Sequence, residues 1–227
     1  MKKKDTNSNS YTLIYASIIV VIVAFLLAFT NIVLRPRQDR NIELDTKRQI
    51  LAALNISGVK DVEAAYHKYV KLDMLLQLDG TLVVNTGSFS SNYSTEFSKK
   101  RYHVFQCDVN GQTKYVFPLN GAGLWGAIWG YVALNDDRNT VYGAYFSHQS
   151  ETPGLGAEIA SPEFQGEFKK MKVMKDDKVG LSVVKYGKVV DKKYEVDGIS
   201  GGTITSKGVD AMLKKCLSNY IIFFTNQ

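Results

Sequence analysis

"YHVFQCDVNGQTKYVFPL", Tyr102 to Leu119, decides the fold class of this chain. Aromatic and β-branched residues run up to Asn110-Gly111 and resume beyond it. Asn-Gly is the pair that a two-residue hairpin turn favours, because both central positions need positive φ. Two antiparallel strands are expected here. "WGYVALNDDRNTVYGAYFSHQ", Trp129 to Gln149, repeats the pattern with a turn at 135–139, and "VGLSVVKYGKVVDKKYEVDGIS", Val179 to Ser200, predicts a third pair turning near Tyr186 and Gly187. Between the second and third pairs, "SPEFQGEFKKM" predicts a short helix with Phe164 and Phe168 on one face. The chain closes on a helix expected to start near Thr205 or Ser206, whose Val209, Met212, Leu213, Cys216, Leu217 and Tyr220 recur at helical spacing and form a buried face.

Upstream of the hairpins, "DTKRQILAALNI" predicts a helix with Asp45 or Thr46 as N-cap and Gly58 as its stop. "DVEAAYHKYV" predicts a second, with Val62, Ala65, Tyr66, Tyr69 and Val70 along one side. The stretch 78–100 is rich in Ser, Thr, Asn and Gly without a steady period and reads as irregular or weakly stranded. The sum is an α+β fold with largely antiparallel strands flanked by helices.

Tyr11 to Leu34 holds 24 residues without a charge, and at about 1.5 Å per residue a helix of that length crosses a hydrocarbon core of about 30 Å. A cleaved signal peptide has a shorter apolar region and a small-residue cleavage site, which does not follow Phe29. A retained, single-pass transmembrane helix is expected. Lys2, Lys3 and Lys4 before it are matched by Arg35, Arg37 and Arg40 after it, so charge alone does not orient it. The expected division is a short tail at 1–10, the membrane helix at 11–34, a helical and irregular membrane-proximal segment at 35–100, and a folded domain at 101–227.

The net charge of +6 is spread among Asp and Glu, so no nucleic-acid partner is expected. Cys107 and Cys216 lack metal or redox spacing and read as two small buried apolar residues that pair only if the fold brings them together. "GAGLWG", Gly121 to Gly126, matches a dinucleotide-binding fingerprint by letters, but the aromatic and β-branched run after it opens no helix. "GGTITSKG" lacks the glycine before Lys207 and the hydroxyl after it that a P-loop requires. His67, His103 and His148 have no second ligand at metal spacing, and no metal is expected.

"DGISGGTITS", Asp197 to Ser206, places two adjacent glycines and four hydroxyl residues at the start of the last helix. A helix N-terminus offers free N–H groups and partial positive charge, which suits an anion of phosphate size; a capped glycine turn explains the same letters. With "GAGLWG" and "SETPGLGAEI", Ser150 to Ile159, it makes three glycine-rich loops that suit a flat ligand held between backbone and apolar side chains.

These three motifs, in this order behind one membrane helix, closely resemble the FMN-binding domain of the C subunit of the bacterial Na⁺-translocating NADH:quinone reductase, over residues 11 to 220. A related domain occurs in the G subunit of Rnf-type ferredoxin:NAD⁺ oxidoreductases. The resemblance implies that Thr203, ending Ser200-Gly201-Gly202-Thr203, carries FMN through a phosphoester bond, with Gly202 standing where the family usually has alanine. It implies that Asp197 belongs to the signal read by a flavin transferase, which moves FMN from FAD using Mg²⁺, and it leaves Thr205 as the second-choice acceptor. Glu151, Thr152, Gly154 and Leu155 are implied to line the flavin ring, Leu155 packing on it and Thr152 or backbone groups bonding its polar edge, while Leu124 and Trp125 wall the pocket. The implied function is electron relay within a complex that oxidises NADH, reduces quinone and exports Na⁺, beside its other subunits, with the helix in the bacterial inner membrane and the C-terminal domain in the periplasm. Two alternatives stay open at this point: the Rnf-type G subunit, and a membrane-anchored scaffold domain without flavin.

Overall fold

The computed structural model describes residues 8–77 and 79–225; residues 1–7 of the expected N-terminal tail lie outside them. Two compact units emerge, the second beginning at Leu44. The first is helical. Helix α1 spans Asn9–Ala53 and contains the one stretch among the described residues that is long and apolar enough to cross a membrane.

The helix expected separately from Asp45 is the end of α1. Pro36 lies within α1 and removes one N–H from its ladder, but the Arg, Gln, Glu and Lys residues beyond it are good helix formers and the helix continues through it. Asp45 is therefore no cap; its carboxylate accepts a hydrogen bond from Gln49 Nε2 one turn on at 2.6 Å, and Thr46 is buried. The stop is Asn55 rather than Gly58. Asn55 takes φ 58°, Ile56 N donates to Leu51 O at 3.0 Å and Asn55 N to Ala52 O at 2.9 Å, which is the hydrogen-bond pair of a left-handed helix terminus.

The second unit is built on one six-stranded sheet of order β2-β1-β3-β4-β5-β6, every pairing antiparallel. Helix α2 (Val62–Tyr69) leads into β1 (Val70–Leu76), β2 (Leu82–Val84) and helix α3 (Tyr93–Ser98), the last capped by Asn92 Oδ1 accepting from Thr95 N at 3.1 Å. Strands β3 (Tyr102–Val109) and β4 (Gln112–Ala122) turn at Asn110 and Gly111, with φ of 55° and 77°, as the Asn-Gly pair predicts. Strands β5 (Ala127–Asn135) and β6 (Val141–His148) complete the sheet. The expected boundary at residue 100 is thus corrected: β1 and β2 belong to the same sheet as the hairpins after it.

Alternate residues of the central strands enter two cores. Val104, Phe117, Leu119, Ile128, Val132, Leu134 and Phe146 face one, where helix α4 (Pro162–Gly166) delivers Phe164 ahead of Phe168, and helix α5 (Thr203–Leu217) lays down Val209, Met212, Leu213, Cys216 and Leu217. Phe105, Cys107, Val116, Tyr131 and Ala133 face the other, covered by Ile50, Leu51 and Leu54 at the end of α1 and by Val62 and Tyr66 of α2. Each fully buried aliphatic or aromatic side chain contributes about 1.5–3 kcal/mol, so neither face tolerates exposure. Cys107 and Cys216 lie in different cores and are free thiols.

Short strands β7 (Met174–Lys175) and β8 (Lys178–Val179) pair antiparallel. The third expected hairpin is not one: β9 (Ser182–Val184) and β10 (Glu195–Asp197) pair in parallel. The turn near Gly187 exists, with φ 70°, but the chain does not return from it as a strand. The Glu195 carboxylate accepts the Val190 and Asp191 amides at 2.7 and 3.0 Å, which gathers the loop into a crossover. The helix Ile221–Thr225, α6, ends the described chain.

One buried ionic group ties the strand edge together. His103 on β3 is 1% exposed; its Nδ1 lies 2.8 Å from Asp73 Oδ1 on β1 and its Nε2 3.2 Å from Glu96 Oε2 on α3, while Arg101 also reaches Glu96 at 3.1 Å. Burial opposes the imidazolium, but the two carboxylates outweigh it and raise the His103 pKa above 6.5. A raised folded-state pKa stabilises fully below the unfolded value and is lost as pH rises through the folded one. Urea-denaturation midpoints of the wild type and His103→Gln should therefore converge as pH climbs above about 6.5; a constant gap would refute a charged His103.

Candidate functional site

Helix α5 opens on Gly202, which makes no side-chain cap bond, and Thr203 is its first residue. Thr205 and Ser206, expected as caps, lie inside the first turn, because both hydroxyls are drawn elsewhere. Thr205 Oγ1 donates to Glu151 Oε2 at 2.6 Å. Ser206 Oγ donates to Gly202 O and accepts from Ile199 N, both at 2.9 Å. Both residues are buried, whereas Thr203 is half-buried and Ser200 exposed. The first N–H groups of α5, at Thr203, Ile204 and Thr205, find no acceptor among the described residues, as helix geometry leaves them. Thr203 lines a small cavity of about 30 Å³ together with Lys185, Tyr186, Ile199, Ser206 and Lys207.

The turn before α5 is fixed from two sides. Gly201 has φ 76°, a conformation that side chains disfavour, and a Cβ there would stand 2.7 Å from Leu155 Cδ2. Asp197 ends β10 and its Oδ1 accepts the Gly187 amide at 2.7 Å, holding the loop that carries Tyr186. Asp197 is thereby a brace of this loop.

Residues 150–156 form the second loop. Its turn is closed by Leu155 N and Ala157 N, each donating to Thr152 O at 3.1 Å, and Gly154 N donates to Glu158 Oε1 at 3.1 Å. Thr152, Gly154 and Leu155 are exposed. Glu151, beside them, is only 5% exposed, and its carboxylate is spent inside the protein: Oε1 accepts Trp125 N at 2.8 Å and Oε2 accepts Thr205 Oγ1. Burial pushes the Glu151 pKa up, but the Thr205 hydroxyl, the Trp125 and Leu124 amides and His148 outweigh it and hold the carboxyl below the ordinary glutamate range.

The third loop joins β4 to β5 as a tight turn, Gly123 N donating to Gly126 O at 2.8 Å. No helix follows the glycines, as the reading against a dinucleotide site expects. Leu124 and Trp125 point outward, Trp125 64% exposed. The structure thus gathers all three glycine-rich loops, with Leu124, Trp125 and Leu155 left uncovered. It adds two residues that the sequence reading misses, Ile204 and Tyr186, 56% and 61% exposed. Ile204 falls off the spacing of the buried face of α5, and that is the available signal.

The FMN-binding domain family matches residues 123–218, which take in Gly123 to Gly126 of the first glycine-rich motif and the whole of the other two. The C subunit of the Na(+)-translocating NADH-quinone reductase from Haemophilus ducreyi is 30% identical over 94% of this chain and 91% of its own length. The chain belongs to this C-subunit family. The corresponding subunit from Pasteurella multocida is 28% identical over 93% of this chain and 90% of its own. The crystal structure of the C subunit of the Na(+)-translocating NADH-quinone reductase from Parabacteroides distasonis is 45% identical, covers 86% of this chain and 98% of that one, and superposes with a TM-score of 0.80. Shewanella oneidensis NqrC, at 23% identity and a TM-score of 0.67, shares the fold. Membership of this family makes the chain one subunit of a multi-subunit oxidoreductase.

In this family member α5 crosses the end of β4 at Gly208, where a Cβ would lie 2.5 Å from Ala122 O. Neither backbone can yield, so overpacking at Gly208→Ala should cost about 1–3 kcal/mol. Chemical denaturation of the purified chain checks this; an unchanged midpoint would mean that α5 sits further from the hairpin.

Proposed function

We propose that this chain is the FMN-carrying, electron-relaying subunit of a Na⁺-translocating NADH:quinone reductase, with the flavin phosphate bonded to Thr203 Oγ1. One observation carries the choice of residue. Of the three hydroxyls within the first turn of α5, those of Thr205 and Ser206 are buried and engaged, while Thr203 is partly open beside unpaired helix N–H groups. The phosphate of FMN fits this position: the helix terminus favours an anion, and Lys185 and Lys207 line the same small cavity. Apolar Leu124, Trp125, Leu155 and Ile204 suit the faces of a flat ring. When bound, FMN supplies electron transfer in one- or two-electron steps.

Attachment in this reading is a transfer from FAD by a Mg²⁺-dependent flavin transferase. The Thr203 oxygen forms a bond to the flavin-side phosphorus, the pyrophosphate bond breaks, AMP leaves, and the hydroxyl proton passes to the transferase. The chain is the substrate of that enzyme, with Asp197 bracing the neighbouring Tyr186-Gly187 loop. The remaining subunits supply NADH oxidation, quinone reduction and the ion path, since one helix without an internal charge is an anchor. Helix α1 would hold the subunit in the inner membrane with the folded unit in the periplasm.

Intact mass of the full chain, co-expressed with a flavin transferase, should show an added FMN less one water. The adduct should disappear in Thr203→Ala and persist in Thr205→Val. An unmodified wild type would favour the flavin-free membrane-anchored domain. An alkaline phosphatase fused after Thr225 should be active in Gram-negative cells; activity only from an N-terminal fusion would reverse the orientation.

A further inference from the structure

Glu151 behaves unlike its loop. Thr152, Pro153, Gly154 and Leu155 all face solvent, yet the carboxylate beside them is buried. Its two oxygens serve two different elements: Oε1 takes the Trp125 amide of the β4–β5 turn, and Oε2 takes the Thr205 hydroxyl of α5. Its own amide donates to His148 Nδ1 at 3.1 Å, which fixes the side chain's starting point at the end of β6. The surroundings are shaped to it. A Cβ on Gly123 would fall 2.4 Å from Oε1 and a Cβ on Gly156 2.4 Å from Oε2, so these two glycines make room for a carboxylate rather than for a ligand.

We infer that Glu151 is the positioning residue of the flavin site, its carboxylate clamping the Leu124-Trp125 turn to the first turn of α5 and so setting the gap in which the ring lies, without touching the ring. This rests on reading Thr203 as the flavin's anchor. Thr205 lies two residues beyond Thr203 on the same turn, so the clamp fixes the anchor and the Trp125 wall relative to each other. A buried carboxylate without its donors is costly; the arrangement persists because every donor is present. The fixed negative charge also disfavours adding electrons to a neighbouring flavin.

The test uses the full chain in detergent, co-expressed with the flavin transferase, as wild type, Glu151→Gln, Thr205→Val and the double variant. Glu151→Gln keeps the volume and removes the charge; Thr205→Val cuts one leg of the clamp and leaves the carboxylate. Hydrogen exchange at the Leu124 and Trp125 amides should rise at least tenfold in Glu151→Gln and less in Thr205→Val, the double variant resembling Glu151→Gln. Thr203 should stay modified by intact mass, and the flavin midpoint potential of Glu151→Gln should rise relative to wild type. Unchanged exchange overturns the clamp. Faster exchange with an unchanged potential overturns the flavin-positioning role and leaves a loop fastening. A wild type without FMN overturns the Thr203 reading instead, and the exchange measurement still decides the clamp on the unmodified chain.

Discussion

The constraint on which the folded unit depends is a sheet with no polar face. Consecutive residues along β3, β4 and β5 alternate between two cores rather than between core and water: Val104 against Phe105, Val116 against Phe117, Tyr131 against Val132. Such a sheet is stable only when both faces are covered. The two covers come from opposite ends of the chain, the last turns of α1 with α2 on one side and α5 on the other. The end of α1 from Leu44 on and the helix that opens at Thr203 are therefore both structural lids of one sheet, and neither can be removed without exposing a core.

Covering the sheet with α5 also builds the site. A helix laid across β4 must begin somewhere beyond the strand ends, and there the turns of the sheet are found. Its unpaired N–H groups emerge next to the β4–β5 turn and the loop after β6, and close approach is possible only because Gly208 lets α5 meet the hairpin backbone. The glycines of these loops thus serve packing in their own right. Gly123 and Gly156 accommodate the Glu151 carboxylate; Gly201 supplies the left-handed turn ahead of the helix.

What is legible in the sequence follows from range. The β3–β4 and β5–β6 hairpins, the short helix bearing Phe164 and the buried face of α5 are set by neighbours within a few residues, and the pattern alone predicts them. β1 escapes the pattern because Lys71 and Asp73 interrupt its apolar run, and Asp73 faces inward only because His103, thirty residues on, meets it. The parallel pairing of β9 and β10 reads as a hairpin because the turn at Gly187 is real, while the bonds that carry the chain past it come from Glu195 and Asp197. The cap residues place the start of α5 two or three residues late for the same reason. Thr205 and Ser206 are good caps in isolation, but Glu151 and the Ile199 amide engage them first. The three loops of the site are recognisable as motifs; that a carboxylate knots them together needs three dimensions.

The openness of the site bears on why a tether suits it. A pocket that holds a small molecule by burial covers about 70–90% of its surface, whereas here Trp125 on the β4–β5 turn and Ile204 in the first turn of α5 stand more than half exposed. Association costs about 4–15 kcal/mol in translational and rotational freedom, and a shallow apolar wall recovers little of it. The proposed covalent bond at Thr203 would settle that loss once, at attachment, so the ring would need no enclosure to be retained. An unenclosed ring is also open to close approach by a neighbouring redox protein. On this reading the shallow face and the free hydroxyl at the head of α5 answer the same requirement: the cofactor stays, and its edge remains available for electron exchange.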